Sequence, residues 1–252
     1  KESIKNLHNP DTEKDLNSRF IKRIAYDEIF ANLLFLSNNR KKVKKTKKEI
    51  KKFKGIFSNQ LIKNLPYILT NGQKKVIHEI EEDLKSNLRM FRILQGDVGS
   101  GKTIVANIAA LNSIEAGYQC GLMAPTAILA EQHYKLFEKL INQSGLKIRL
   151  ELLTGKTEAR KRKKILNDLK NKQIDFLIGT HSLFQKTISF KKLGLIIIDE
   201  QHKFGVLQRI KFARKGGINC DVLLLSATPI PRTMMMSIYG DMDNSRLEEK
   251  PK

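Results

Sequence analysis

Short apolar runs alternate with longer amphipathic stretches over residues 65–252. Five of the apolar runs end in small or polar residues, at Pro125-Thr126, Thr154-Gly155, Thr180-His181, Asp199-Glu200 and Ser226-Ala227-Thr228. Strands that alternate with helices form a parallel sheet covered by helices on both faces, and the functional loops of such a sheet lie at the carboxyl ends of its strands. The pattern therefore predicts an α/β domain over 65–252 whose polar clusters share one edge.

The residues before this domain have a different pattern. Apolar side chains between Leu16 and Leu36 recur mostly at three- to five-residue steps, which predicts an amphipathic helix. Residues 40–54 then carry ten basic residues and one acidic residue. Such a run either contacts nucleic-acid phosphates or forms a solvated linker. The linker interpretation is slightly favoured, because one arginine and one aromatic residue in the run do not suggest a shaped binding face. Residues 1–64 are therefore predicted to be a helical segment with a basic linker.

A glycine-rich stretch, Gly-Asp-Val-Gly-Ser-Gly-Lys-Thr, lies between an apolar strand and an apolar helix and matches G-x-x-x-x-G-K-[ST]. Glycines let several backbone N–H groups converge on phosphate oxygens at the positive end of a helix dipole. The lysine adds a charge near the β and γ phosphates, and the threonine offers a hydroxyl to Mg²⁺. The predicted triphosphate site consists of Gly96, Asp97, Val98, Gly99, Ser100, Gly101, Lys102 and Thr103.

Two further features add chemistry to this site. Asp199 and Glu200 follow a continuous apolar strand, so both carboxylates are predicted at the edge that holds the glycine-rich stretch. One of the two acids can hold a Mg²⁺ that bridges phosphates, while its neighbour orients or deprotonates a water. Gln73 stands at the entrance of a helix, and its amide has the donor and acceptor that an adenine edge requires, although a glutamine there is more often plain surface polarity.

Composition limits the kind of binding partner and the cellular compartment that we expect. A net charge of +21 over 252 residues favours a polyanionic partner. No apolar run approaches membrane-spanning length, and we expect no secretory leader, since the first residues lack an apolar core region. Two isolated cysteines suit buried positions in a reducing cytoplasm. Since the chain does not begin with Met, we expect an excised piece of a longer protein.

These motifs resemble the first motor domain of superfamily 2 helicases and translocases, with Asp199-Glu200-Gln201-His202 as the DExH box and Ser226-Ala227-Thr228 as the coupling motif. Within that superfamily the chain is similar to the RecG family of bacterial ATP-dependent DNA helicases. The segments that carry this similarity are Met123–Thr126, Ile178–His181, Asp199–Val206, Ala227–Thr233 and the glycine-rich stretch.

The resemblance implies a RecA-like P-loop fold and a role for each matching position. Gln73 would read adenine, Gly96–Thr103 would bind the phosphates, Asp199 and Thr103 would hold Mg²⁺, and Glu200 would activate water. The residues implied to face DNA are Pro125, Thr126, Thr154, Gly155, Thr180 and His181. Those implied to couple nucleotide state to DNA are His202, Ser226, Thr228 and Arg232.

The resemblance also implies ATP with Mg²⁺ as cofactor, branched or duplex DNA as partner, and remodelling of stalled forks by a cytoplasmic monomer. A second motor domain with an arginine finger and a wedge domain would come from the same full-length chain, so this piece alone should hydrolyse ATP poorly. Ala127 departs from the acidic residue common in the family. The stretch 247–252 departs from the Leu-Pro-x-Gly-Arg sequence that usually leads to the second motor domain in the family.

Three alternatives remain open. The transcription-repair coupling translocases share the Phe-Gly-Val and Thr-Pro-Ile-Pro-Arg-Thr neighbourhoods, although Leu153-Thr154-Gly155 and the Gln-His of the box favour the RecG family. A P-loop ATPase without a motor role has no need for the Thr-His and Pro-Thr strand ends. A DNA-binding piece dominated by charge is the third alternative.

Overall fold

A computed structural model describes residues 21–31, 34, 47–185, 187–199, 217, 219–227 and 242–249. Residues 21–31 and 34 are helical, inside the predicted first helix, and belong to one compact unit of the chain. The other described residues belong to a second unit, which holds the sheet. Lys41 to Lys45, in the first part of the basic run, lie outside the described residues.

The second unit is built on a seven-stranded sheet in the order β3-β4-β2-β5-β6-β1-β7, and every strand pair is parallel. The strands are β1 (Phe91–Gly96), β2 (Gln119–Met123), β3 (Leu150–Leu153), β4 (Phe176–Gly179), β5 (Leu193–Ile198), β6 (Asp221–Ser226) and β7 (Asp243–Leu247). The inner strands β2, β4, β5 and β6 are buried along their whole length, as expected for parallel strands that are covered on both faces. The predicted parallel α/β architecture is confirmed.

Five α-helices accompany the strands within the described part of this unit: α1 (Ile56–Lys63), α2 (Asn71–Lys85), α3 (Lys102–Glu115), α4 (Ala127–Ser144) and α5 (Ala159–Lys170). Helix α3 is buried from Ile104 to Ile114 and contacts β1, β2 and β5. Helix α4 contacts β3 and β4, and α5 contacts β3. The core therefore lies between the sheet and the helices that connect its strands.

Helix α2 begins with a capping box. The Thr70 hydroxyl accepts from the Gln73 backbone N–H, and Gln73 Oε1 accepts from the Thr70 backbone N–H over 2.9 Å. The buried face of α2 includes the apolar residues Val76, Ile77 and Ile80. Gln73 itself is fully buried, so the interpretation as surface polarity is wrong.

The described part of the basic run is only partly a solvated surface. Lys47, Lys52 and Lys54 are exposed, but the Lys48 and Lys51 side chains are buried against the carboxylate of Asp221. These two lysines therefore neither line a solvated linker nor face a DNA phosphate.

Both cysteines are free and buried, as the sequence predicts. Burial raises the pKa of the Cys120 thiol and raises that of Cys220 to about 12. The two thiols are therefore neutral packing groups at neutral pH.

Candidate functional site

The glycine-rich stretch forms the turn between β1 and α3. Gly99 and Gly101 have φ angles of 85° and 87°, which lie in the left-handed region that glycine occupies at little cost. Gly101 is the N-cap of α3, so the loop leads directly into a helix N-terminus. Free backbone N–H groups and the positive end of a helix dipole are the features that bind phosphate.

The loop is lined by groups that suit an anion. The Lys102 ammonium donates to the carbonyl oxygens of Gly96 and Asp97 over 2.6 and 2.8 Å, which folds the side chain back across the loop. The hydroxyl of Ser100 is buried and has no hydrogen-bond partner among the described residues. A Cβ at Gly96 would collide with that hydroxyl, so the turn has room only for glycine there. An orphaned hydroxyl, a lysine and a glycine-lined cradle fit a bound polyphosphate.

Gln73 joins α2 to this loop. Its Nε2 donates to the Ser100 carbonyl oxygen over 2.9 Å, while its Oε1 holds the capping box. Both ends of the amide are thus engaged, and a Cβ at Gly101 would collide with Nε2. Sequence reasoning placed Gln73 at the helix entrance but missed this contact, because the loop and α2 meet only in the folded chain.

Asp199 follows the last residue of β5. Its backbone N–H donates to the Met123 carbonyl oxygen over 2.9 Å, which continues the pairing of β5 with β2. Its Oδ2 lies 2.8 Å from Nε2 of His133 on α4, and both side chains are largely buried. His133 was missed by sequence reasoning. Glu200, the residue after Asp199, lies outside the described residues.

The predicted coupling residues are only partly described. Ser226 is buried at the end of β6 and lies opposite Gln95 in the pairing of β6 with β1. His202, Thr228 and Arg232 lie outside the described residues.

The predicted DNA-facing positions follow three other strands. Thr126 is exposed and caps α4 by accepting from the Leu129 N–H, and Gly155 is exposed after β3. Thr154 and Thr180 are buried, and their hydroxyls bond within their own turns, Thr154 to the Lys156 N–H and Thr180 near the Ser182 hydroxyl. Pro125 is half-buried before α4, and the backbone of His181 begins a short 3₁₀ helix, His181–Phe184.

The order of strands separates these two groups of residues. The strands β3, β4 and β2, which precede the predicted DNA-facing positions, are neighbours on one side of the sheet. The strands β5, β6 and β1 are the next neighbours in the sheet, and Asp199, Ser226 and Gly96 lie at or directly after their carboxyl ends. All strands are parallel, so their carboxyl ends lie along one edge. We call the first group the DNA half of this edge and the second the phosphate half.

Helix α5, which follows β3, is strongly basic. Residues 156–172 hold eight basic and two acidic side chains. Lys156, Arg160, Lys161, Lys163 and Lys164 are exposed, while only Ile165 and Leu169 of the helix are buried. A dense positive surface therefore borders the DNA half.

Within the described part of the chain, no group of three or more His, Cys, Asp or Glu side chains could by itself hold a metal ion. None of the helices in that part is both long and apolar enough to cross a membrane.

Comparison with known proteins decides the family. A family model described as DEAD/DEAH box helicase matches residues 70–237, which contain the phosphate loop, the acid pair and the coupling motif. The chain belongs to the DEAD/DEAH box helicase family. Members of this family use ATP, so the family assignment agrees with the polyphosphate cradle.

This DEAD/DEAH box chain is similar over nearly its whole length to proteins named ATP-dependent DNA helicase RecG. It is 44% identical to that of Aquifex aeolicus over 98% of the chain, 45% identical to that of Thermotoga maritima over 100%, and 43% identical to that of Bacillus subtilis over 99%. The matched regions make up 32%, 32% and 36% of those proteins, so the chain spans about a third of their length.

Solved structures of helicases agree with this family assignment. A structure of RecG bound to a three-way DNA junction matches with a TM-score of 0.80 and 42% identity, over 99% of this chain and 33% of that one. The DEAD-box helicase Mss116 bound to single-stranded RNA matches with a TM-score of 0.60 at 22% identity, over 77% of this chain and 43% of that one, which shows a common fold. The RecA-like fold and the resemblance to the RecG family are confirmed.

Proposed function

We propose that this chain is the first motor domain of an ATP-dependent DNA helicase or translocase that remodels branched DNA. The observation that carries the proposal is the arrangement of the sheet edge, where a phosphate cradle and Asp199 lie beside three strand ends and a basic helix. A nucleic-acid motor needs a phosphate site beside a surface that binds nucleic acid. A small-molecule kinase does not need such a surface.

ATP would bind at the turn between β1 and α3. Lys102 would exchange the Gly96 and Asp97 carbonyls, to which it now donates, for β- and γ-phosphate oxygens. Backbone N–H groups of the loop and the Ser100 hydroxyl would complete the cradle. Gln73 is bonded to the loop backbone and to the Thr70 N–H, and it would read the adenine edge by exchanging one of these two bonds for the base.

Mg²⁺ would be held by the Thr103 hydroxyl and the Asp199 carboxylate, and when bound it neutralises charge on the phosphates. Glu200, the next residue, would take the proton of the attacking water. His202, Ser226, Thr228 and Arg232 would link the phosphate half to the DNA half. The second motor domain and the wedge domain would come from the rest of a full-length cytoplasmic protein that acts as a monomer.

DNA would lie along the DNA half, on Pro125, Thr126, Gly155 and the backbone around Thr154, Thr180 and His181. The buried hydroxyls of Thr154 and Thr180 bond within their own turns, so these two residues would shape the DNA-facing backbone rather than contact DNA through their side chains. The junction-bound RecG structure supports branched DNA as the substrate, and the similarity to RecG proteins supports the same.

The decisive experiment measures ATP hydrolysis by the full-length protein with a three-way junction, with linear duplex of equal length and without DNA. We expect the junction to raise kcat most and the absence of DNA to give the lowest rate. Equal stimulation by linear duplex would favour a duplex translocase of the transcription-repair coupling type. A rate that DNA leaves unchanged would overturn the motor function and leave a P-loop ATPase.

A further inference from the structure

His133 is a polar side chain in the buried stripe of α4, and it contacts the site. The buried residues of the helix are Ala130, His133, Phe137, Leu140, Ile141 and Ser144, at helical spacing. A buried imidazole requires a hydrogen-bond partner, because an unsatisfied polar group in the core costs free energy. The partner of His133 is the Asp199 carboxylate, with Nε2 and Oδ2 2.8 Å apart.

The contact joins the two halves of the sheet edge. Helix α4 follows β2, the last strand of the DNA half, and its N-cap is the exposed Thr126. Asp199 follows β5, the first strand of the phosphate half. Between these neighbouring strands, the bond from the Asp199 N–H to the Met123 carbonyl fixes the backbone, and His133 fixes the carboxylate.

We propose that His133 is a positioning residue that orients the Asp199 carboxylate for Mg²⁺ and ties that orientation to the placement of α4. This inference rests on the proposed function, since it takes Asp199 as the Mg²⁺ ligand and the start of α4 as a DNA contact. A carboxylate ligand is oriented by the groups that hydrogen-bond to it, and a shift of α4 on DNA binding moves the imidazole that holds Asp199. His133 thereby passes the presence of DNA to the metal site.

The test uses two substitutions in the full-length protein. In His133→Gln the amide nitrogen reaches the position of Nε2 and keeps the bond to Asp199, whereas in His133→Asn the shorter side chain does not reach it. Both replace a buried polar group by a buried amide, so they differ chiefly in that bond. His78 on α2, an exposed histidine, provides the controls His78→Gln and His78→Asn.

Two quantities are measured for each variant. One is the Mg²⁺ concentration that gives half-maximal binding of a fluorescent ATP analogue without turnover, and the other is the ratio of kcat with junction DNA to kcat without DNA. We expect His133→Asn to raise the first by roughly 10- to 100-fold, as for other partners of metal ligands, and to lower the second. His133→Gln should stay close to the wild type in both, as should the His78 variants.

The inference is overturned if His133→Asn keeps wild-type values, or if His133→Gln loses as much as His133→Asn while both melt at the wild-type temperature. Should the asparagine variant fail to fold, wild-type protein labelled with ¹⁵N-histidine decides. The imidazole signal that is absent from His133→Gln shifts on addition of Mg²⁺ and nucleotide if His133 holds the metal ligand, and an unchanged signal refutes it. A wild-type protein whose ATPase ignores DNA would instead refute the proposed function.

Discussion

Lys51 donates from Nζ to Oδ2 of Asp221 over 2.6 Å, and neither side chain is exposed to solvent. Lys48 donates to both carboxylate oxygens of Asp221, over 2.7 and 2.8 Å, and the Met90 N–H adds a further bond. Burial lowers the pKa of Lys48 against the opposing attraction of Asp221. Two cations thus share one anion at the start of β6, where the segment before α1 is fastened to the sheet.

The first prediction concerns the carboxylate of this cluster. Asp221→Asn leaves two buried ammonium groups without their counter-charge, and we expect the free energy of unfolding to fall by about 3–5 kcal/mol. Denaturant unfolding of the protein measures the change. Asp27→Asn, which removes an exposed pair with Arg23 on the first helical segment, should cost less than about 1 kcal/mol. Equal losses would show that the buried cluster is no more important than a surface pair.

The second prediction concerns pH. The pKa of Lys48 is lower in the folded state than the ordinary value of 10.5, so folded protein releases this proton first. Between the lowered pKa and 10.5 the unfolded chain binds more protons, and stability contributed by this group therefore rises with pH through that window. The free energy of unfolding, measured against pH, should lack this rise in Lys48→Met. Lys52→Met, at an exposed neighbouring position, should keep it. Parallel curves for wild type and Lys48→Met would contradict the lowered pKa.

The third prediction concerns nucleotide binding. Lys102→Ala should weaken ATP binding by roughly 10- to 100-fold, since a charge-assisted hydrogen bond contributes about 1.5–3 kcal/mol. Glu200→Gln should keep the affinity and lower kcat by about 10²- to 10⁴-fold, the usual contribution of a general base. Isothermal titration and steady-state ATPase separate the two effects. Lys75→Ala, an exposed lysine on α2, is the control for charge, and wild-type affinity in Lys102→Ala would contradict the proposed site.

The fourth prediction compares two glycines of the phosphate loop. Gly99→Ala and Gly101→Ala place alanine at nearly equal positive φ angles, with a similar cost of about 1–2 kcal/mol. Only at Gly101 does the new Cβ collide with Gln73, whereas nothing lies within 4 Å of it at Gly99. Gly101→Ala should therefore lose clearly more stability and more ATP affinity than Gly99→Ala. If the two variants behave alike, the contact between Gln73 and the loop is unimportant.

The fifth prediction concerns the basic surface of α5. If Lys163 and Lys164 contact DNA phosphates, replacing both by Gln should lower the slope of log affinity against log salt by up to about 1.8 for duplex DNA. The control is the exposed pair Lys74 and Lys75 on α2, whose replacement by Gln should leave the slope unchanged. Binding titrations at several salt concentrations give both slopes. An unchanged slope in the α5 variant would mean that Lys163 and Lys164 are solvated and do not contact DNA phosphates.

The sequence predicted the strands and the site loops because buried parallel strands are apolar throughout and end in polar residues. The continuous apolar strand predicted before Asp199 is β5, Leu193–Ile198, which is buried along its whole length. The edge strand β7 was not predicted, since Asp243-Asn244-Ser245-Arg246-Leu247 buries only Ser245 and Leu247 and has no apolar run. An edge strand needs fewer apolar positions than an inner one, so its pattern is weak.

The buried face of α4 is hard to recognise in the sequence. Leu136 is a large apolar residue, yet it is exposed, while Ala130 and His133 are buried. A buried stripe that includes a small residue and an imidazole is not recognised from large apolar side chains alone. The helical spacing of Ala130, His133 and Phe137 does indicate it. Lys48 and Lys51 were missed for a similar reason, because their partner Asp221 lies far away in sequence. The division of the chain at 64/65 and the roles of the site residues stay predictions.

Strand β6 has Asp221 at one end and Ser226 at the other, about 17 Å apart at the usual rise of a strand. The segment that holds Lys48 and Lys51 is therefore anchored at the amino end of β6, the buried strand whose carboxyl end holds Ser226. A force on that segment would reach the sheet through the same strand that carries a predicted coupling residue.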